Sequence, residues 1–226
     1  MADGRVSPSN RPVATAASLA VSTVDAHAIE CASRLFLERG IAAVKMTEIA
    51  DAAGMGVATL YRHFSTKTAL AASSAIVMWS HLMEDFERLV GTEAYGALDG
   101  AARLEALLTT YCDQCVYQPG FAAFLDELDR LMLAGDVARE AIDSYAQLLG
   151  GAYHHFEDAY HLGLADGSIR REVDFPLFYR SVAHALVCVA SKLSRGEVLP
   201  TDDFSHARDE LACITDMAIR SLRIQG

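Results

Sequence analysis

Lysine is scarce in this 226-residue chain, with three lysines against sixteen arginines. Positive charge is short overall, since the formal net charge is −11. That balance argues against a chain that coats nucleic acid with its whole surface. Long apolar runs are absent. The best candidate, Ala185 to Ala190, follows His184 and is far below the ~18 residues that span a bilayer, so no membrane partner is expected. Cysteines are few and odd in number, at 31, 112, 115, 188 and 213. They suit reduced thiols in the cytoplasm better than a disulfide framework. Period-two alternation flanked by hairpin turns is missing, which predicts no sheet. Enzyme signatures are missing too: there is no Gly-rich phosphate loop, no Gly-x-Ser-x-Gly elbow and no His-Glu-x-x-His. No enzymatic activity, catalytic residue, cofactor or metal is therefore expected.

What is present is helical periodicity throughout and an uneven distribution of charge. Residues 1–70 hold seven Lys and Arg against six Asp and Glu, whereas residues 71–226 hold twelve against twenty-four. A nearly neutral N-terminal third thus precedes an acidic remainder. Residues 1–22 mix Ser, Thr and Ala with two prolines and read as a flexible arm. From Asp25, apolar residues recur at three and four, and Gly40 closes that helix. Two short helices follow, about Met46–Ala53 and Val57–Phe64, joined through Gly54. Longer helices come next, with one stripe through Ala72, Ile76, Trp79, Met83, Phe86 and Val90. A loop punctuated by Gly91, Gly96 and Gly100 follows. Asp174 caps a helix that is apolar nearly all round, and a closing helix carries Leu211, Ile214 and Ala218. The expected architecture is all-α, with about nine helices. Its divisions are an arm at 1–22, a unit of short helices at 23–70 and a larger helical bundle at 71–226.

Residues 45–64, KMTEIADAAGMGVATLYRHF, have helix-turn-helix spacing. Two short helices at a wide angle with a Gly-containing turn suit entry into a major groove. Leu60 and Phe64 read as core. Tyr61 and His63 read either as surface residues or as DNA contacts. Lys45 and Lys67 place two of the three lysines around this unit.

The fuller string runs from Ile29-x-x-Ala32 and Phe36-x-x-x-Gly40, through Ile49-Ala50 and Ala53-Gly54, to Thr59-Leu-Tyr-Arg-His-Phe64-x-x-Lys67-x-x-Leu70. It resembles the TetR family of bacterial transcriptional regulators, as does Gly163-Leu-Ala-Asp-Gly167-Ser-Ile-Arg170. The resemblance implies a dimeric regulator, most often a repressor, that binds an inverted-repeat DNA operator and is released by a small effector, with a DNA-binding domain at 23–70 (motif 45–64) and a ligand-binding and dimerisation domain at 71–226. It implies that Val57, Ala58 and Thr59 face base edges. It implies phosphate contacts from Tyr61, His63 and Lys67, with Lys45 and Thr47 beside them at the start of the second helix. Two positions depart from the usual pattern: Lys45 stands where Ser or Thr is common, and Gly56 replaces a stronger N-cap. The other reading is a helical small-molecule or metal sensor without operator binding.

Trp79, Met83, Tyr111, Phe124, His155 and Phe156 are the expected lining of an effector pocket suited to a largely apolar ligand. His155 lies on the inner face and reads more readily as a satisfied core histidine than as a polar anchor for the ligand. Val182, Val189, Leu211, Ile214 and Ala218 are the expected dimer contacts. Cys112 and Cys115 read as small hydrophobes on one helix face. His154, Asp158 and His161 read as a solvated polar face rather than metal ligands.

Overall fold

The computed structural model describes residues 23–135, 137–194 and 205–223. Among these, every regular element is a helix. The order is α1 (Thr23–Arg39), α2 (Met46–Ala52), α3 (Val57–Phe64), α4 (Lys67–Val90), α5 (Glu93–Gly96), α6 (Gly100–Tyr117), α7 (Gly120–Leu133), α8 (Arg139–Asp166), α9 (Phe175–Ser194) and α10 (Ala207–Arg223). The arm expected at 1–22 lies outside the described residues.

Helix ends follow cap chemistry. Gly40 and Gly167 adopt φ of +80° and +79°, the left-handed conformation that ends a helix at little cost to glycine. The Thr66 hydroxyl accepts from Ala69 N–H at 3.0 Å, and the Asp99 carboxylate accepts from Ala102 N–H at 2.8 Å. Asp174 accepts from Leu177 N–H at 3.0 Å across Pro176 in the first turn of α9. Between α3 and α4, Ser65 has φ 53° and ψ −51°. Thr66 N–H donates to the Phe64 carbonyl across it, which makes a tight γ-turn.

The stretch expected as a loop after Gly91 contains a single helical turn, α5. Thr92 caps it, accepting from Tyr95 N–H at 3.1 Å, and Tyr95 is buried under the Arg103 guanidinium. Four residues are too few for a periodic pattern, so cap and aromatic carry this element. The stripe on α4 also differs from expectation. Leu70, Ala71, Ala75, Met78, Leu82 and Phe86 are buried, while Ile76 and Met83 are half-buried. The helix packs against both α1 and α8.

Phe36, Ile41, Ile49, Leu60 and Leu70 centre the core of the N-terminal unit. That core is continuous with the interior of the larger bundle through α4 and α7. Two crossings bring backbones together at glycine. A Cβ at Gly100 would lie 2.0 Å from Gly163 N, and one at Gly120 would lie 1.9 Å from the Leu37 carbonyl oxygen. Side chains would hold these helices apart.

Candidate nucleic-acid interface and effector cavity

The turn between α2 and α3 rests on Gly54, with φ +63°, and on Met55 N–H donating to the Ala50 carbonyl at 2.9 Å. Met46, Ile49 and Ala50 are buried on α2, and Leu60 and Phe64 on α3. These residues fix the two short helices against α1 and α4 and leave the opposite face in water. On that face Lys45, Thr47, Ala58 and Tyr61 are exposed, Tyr61 at 48%. Thr59 is half-buried, and Val57 is half-buried with its side chain packed on the core. Lys45 begins α2 without a side-chain cap. Its N–H donates to the Glu48 carboxylate at 2.8 Å, and the same carboxylate accepts from Arg39 at 2.7 Å. The Arg39 hydrogen bond, followed by the one from Lys45 N–H, holds Glu48 below the usual carboxylate range.

Two expected phosphate contacts are engaged elsewhere. His63 Nδ1 lies 2.6 Å from Asp25 Oδ1 and ties α3 to the first turn of α1. The Lys67 ammonium donates to the carbonyls of Ile41, Ala42 and Val44, at 2.6, 3.1 and 2.8 Å. An ammonium has three donors, so the loop between α1 and α2 occupies all of them. On the far side of that loop, Glu127 accepts from the N–H groups of Ile41 and Ala42, both at 2.6 Å. Sequence reasoning missed Glu127, because its partners lie some 85 residues earlier.

A cavity of about 390 Å³ lies within the larger bundle. Its wall is aromatic: Trp79 and Phe86 from α4, Tyr111 from α6, Tyr145 and Phe156 from α8, and Tyr179 from α9. Trp79 stacks on Tyr111 with ring centroids 6.1 Å apart and donates its indole N–H to the Tyr145 hydroxyl at 3.1 Å. Burial pushes the phenols of Tyr111 and Tyr145 well above their ordinary range and that of Tyr179 up to about 12. All three are therefore neutral hydrogen-bonding groups at physiological pH. Asp126 and Asp129 of α7 and Arg180 and His184 of α9 bring the charged and polar groups. Asp129 is raised, by desolvation first and the Asp126 charge second, while His184 opposes the shift. Such a space suits a ring-bearing, largely apolar molecule with a few polar groups at one end.

Of the expected lining, Trp79, Tyr111 and Phe156 face this cavity, and Met83, Phe124 and His155 do not. Phe124 stacks on Phe36, 6.1 Å away, because α7 turns that side towards α1. His155 Nε2 sits 3.2 Å from Glu87 Oε1, edge-on to the Phe86 ring. Met83 packs beside Gly151. Tyr145, Tyr179 and the charged and polar groups of α7 and α9 were not singled out as lining residues.

Val182 and Leu211, expected at a dimer interface, are buried inside the protomer. They lie on the inner faces of α9 and α10. Val189, Ile214 and Ala218 are half-buried, and Leu177, Cys188, Cys213 and Met217 are exposed on the same helices. Cys112 and Cys115 are buried. Burial raises both thiols, Cys115 to about 12, and Cys112 Sγ lies 3.6 Å from the Thr215 hydroxyl. His154, Asp158 and His161 are exposed, with His154 Nδ1 3.4 Å from Glu157. Among the described residues, no group of three His, Cys, Asp or Glu could hold a metal ion, and no helix is long and apolar enough to cross a membrane.

Residues 28–73 match the family model of bacterial regulatory proteins, tetR family. The chain is 29% identical over 153 residues to the HTH-type transcriptional repressor KstR2 of Rhodococcus jostii (strain RHA1), covering 67% of this chain and 71% of that one. Solved structures share the fold. A bacterial regulatory protein in the tetR family from Rhodococcus RHA1 superposes with a TM-score of 0.65 at 18% identity, covering 91% of this chain and all of that one. The regulator FadR from Bacillus subtilis, in complex with stearoyl-CoA, gives 0.61 at 15%, covering 88% and 99%. Residues 28–73 thus resemble the helix-turn-helix unit of the tetR family, and the chain as a whole shares the fold of solved regulators of that family.

Proposed function

We propose that the protein is a transcriptional repressor that binds an inverted-repeat operator as a homodimer and leaves it when a small, largely apolar effector enters the cavity. The observation that carries this reading is the pairing, in one chain, of an exposed helix-turn-helix face with an aromatic cavity. Its likeness to a named repressor, and the stearoyl-CoA bound in the FadR structure, support a ligand-responsive repressor over a DNA-binding module alone. The protein works in the cytoplasm, where its operator is.

In this reading α3 enters the major groove. Ala58 and Thr59 meet base edges near its start, with Val57 offering only part of its surface. Lys45, Thr47 and Tyr61 meet phosphates. Ala58 has no hydrogen-bonding group, so recognition there rests on thymine methyls or DNA shape. His63 and Lys67 hold α3 and the α1–α2 loop in position. The outer faces of α9 and α10, bearing Leu177 and Met217, pair with their two-fold copies. Effector binding favours a protomer spacing that no longer matches two half-sites.

The test is a mobility-shift assay with the DNA upstream of the protein's own gene, followed by selection from random DNA. A palindromic consensus bound by a dimer is expected. If selection yields no enriched sequence, the protein is a sensor without an operator.

A further inference from the structure

One turn of α7 faces two ways. Asp126 and Asp129 line the cavity, and Glu127, between them in sequence, faces the α1–α2 loop. Its two oxygens hold the amides of Ile41 and Ala42, while Lys67 at the start of α4 holds the carbonyls of Ile41, Ala42 and Val44. An anion from the bundle and a cation from α4 thus grip the 41–42 peptide at opposite polar edges and its neighbours at one edge each. The gripped segment ends at Lys45, the N-cap of α2.

The seat has little slack. Gly120 at the head of α7 approaches the Leu37 carbonyl too closely for any side chain, and Phe124 stacks on Phe36. A Cβ on Gly40 would stand 3.0 Å from Glu127 Oε2. A rigid helix cannot shift its cavity face without shifting the face that carries Glu127.

We propose that Glu127 is the residue that couples the cavity to the helix-turn-helix unit. An occupant pressing on Asp126 and Asp129 tilts α7 about its Gly120 contact with α1 and withdraws the Glu127 carboxylate from the Ile41 and Ala42 amides. The loop then keeps Lys67 and the Arg39 contact to the Ala43 carbonyl but loses its anchor to the bundle, and the start of α2 is held less firmly. This rests on the operator-and-effector reading above and assigns its route to one side chain. It also gives Lys67 a positioning role in operator binding, through the backbone it holds.

The experiment uses the full chain and a built-in occupant. Ala183→Phe fills the cavity from α9, and Val187→Phe fills it from the next turn should the first variant not fold. Operator affinity is measured for parent, filler, Glu127→Gln and the double variant, and amide hydrogen exchange is followed at Ile41 and Ala42. Gln offers one acceptor oxygen where Glu offers two. The filler is expected to weaken operator binding about fivefold or more, within the usual range of allosteric coupling. Glu127→Gln should weaken it as well, with cooperative melting retained. In the Glu127→Gln background the filler should add less than about twofold, since coupled sites are non-additive. Independent, multiplying effects overturn the proposal, and so does parental affinity in Glu127→Gln. If the parent binds no operator, the functional reading fails, and exchange alone decides the coupling. Faster exchange at both amides in the filler supports it, and unchanged exchange overturns it.

Discussion

The Trp79 indole N–H meets the Tyr145 hydroxyl at 3.1 Å, joining α4, which emerges from the helix-turn-helix unit, to α8 across the cavity wall. The chain has one tryptophan, so its emission reports this single junction. Tyr145→Phe leaves a buried N–H without its acceptor. A stability loss of about 1–3 kcal/mol is expected in urea unfolding, with a blue-shifted emission maximum. A cavity ligand should change Trp79 emission over the same concentrations that release DNA. Release with an unaltered spectrum would remove Trp79 from both cavity and lever.

Lys67 gives a second prediction, because a phosphate contact and a positioning role differ in salt dependence. Losing one phosphate contact lowers the slope of log affinity against log salt by about 0.9. Losing a positioning residue weakens binding at every salt concentration with the slope unchanged. The three carbonyls around the Lys67 ammonium predict the second pattern for Lys67→Ala, together with a lower melting temperature. Tyr61→Phe and Lys45→Ala, on the exposed face, should instead leave the melting temperature unchanged.

Asp166 supplies a pH test. Its carboxylate accepts from Ser168 N–H at 2.9 Å and Gly100 N–H at 2.8 Å, and bonds to Ser168 and then Gly100 hold it below the usual range. A carboxylate lowered on folding stabilises the native state above its unfolded value, and that contribution disappears as pH falls through the folded value. The melting temperature of the parent over Asp166→Asn should therefore exceed zero by a constant margin from neutral pH down to about pH 5. The margin should then shrink below about pH 4, where free aspartate is already about half-protonated. A margin that widens on acidification would contradict the assignment.

Substitutions on α9 and α10 should separate assembly from folding. Leu177→Glu and Met217→Glu place charge on exposed positions and should give folded monomers that no longer retain operator DNA. Val182→Glu and Leu211→Glu place charge on buried positions and should cost several kcal/mol, about 3 or more, unfolding the chain. Sedimentation together with circular dichroism distinguishes the two outcomes. A dimer surviving Met217→Glu and Leu177→Glu combined would move the interface elsewhere.

The N-terminal unit was legible because its determinants are local. Gly40 and Gly54 mark conformations that few other residues adopt, and Ile49, Leu60 and Phe64 recur within one short window. The roles of Lys67 and His63 were less legible. A sequence shows a cation at a helix start, but not that the carbonyls of 41–44 fold onto it or that Asp25 sits across from His63. Periodicity identifies an inner face without naming its neighbour. Phe124 and Leu125 are both buried on α7, yet Phe124 meets α1 and Leu125 meets the cavity. On α9 and α10 the apolar residues outnumber the buried ones, so composition alone did not separate Val182 and Leu211 from Leu177 and Met217.

The crossing of Gly100 and Gly163 acts as a weld. With less than a methyl group's clearance, α6 and α8 cannot roll or slide past each other at this end without a backbone clash. Tyr111 and Tyr145 stand on these two helices, so one half of the chamber is a fixed jaw. Any swelling to admit a guest falls to α9 and to the part of α7 beyond its own close crossing at Gly120. Guests of different girth would then be measured by how far they drive that movable side, and the protein would respond to size as well as to chemistry.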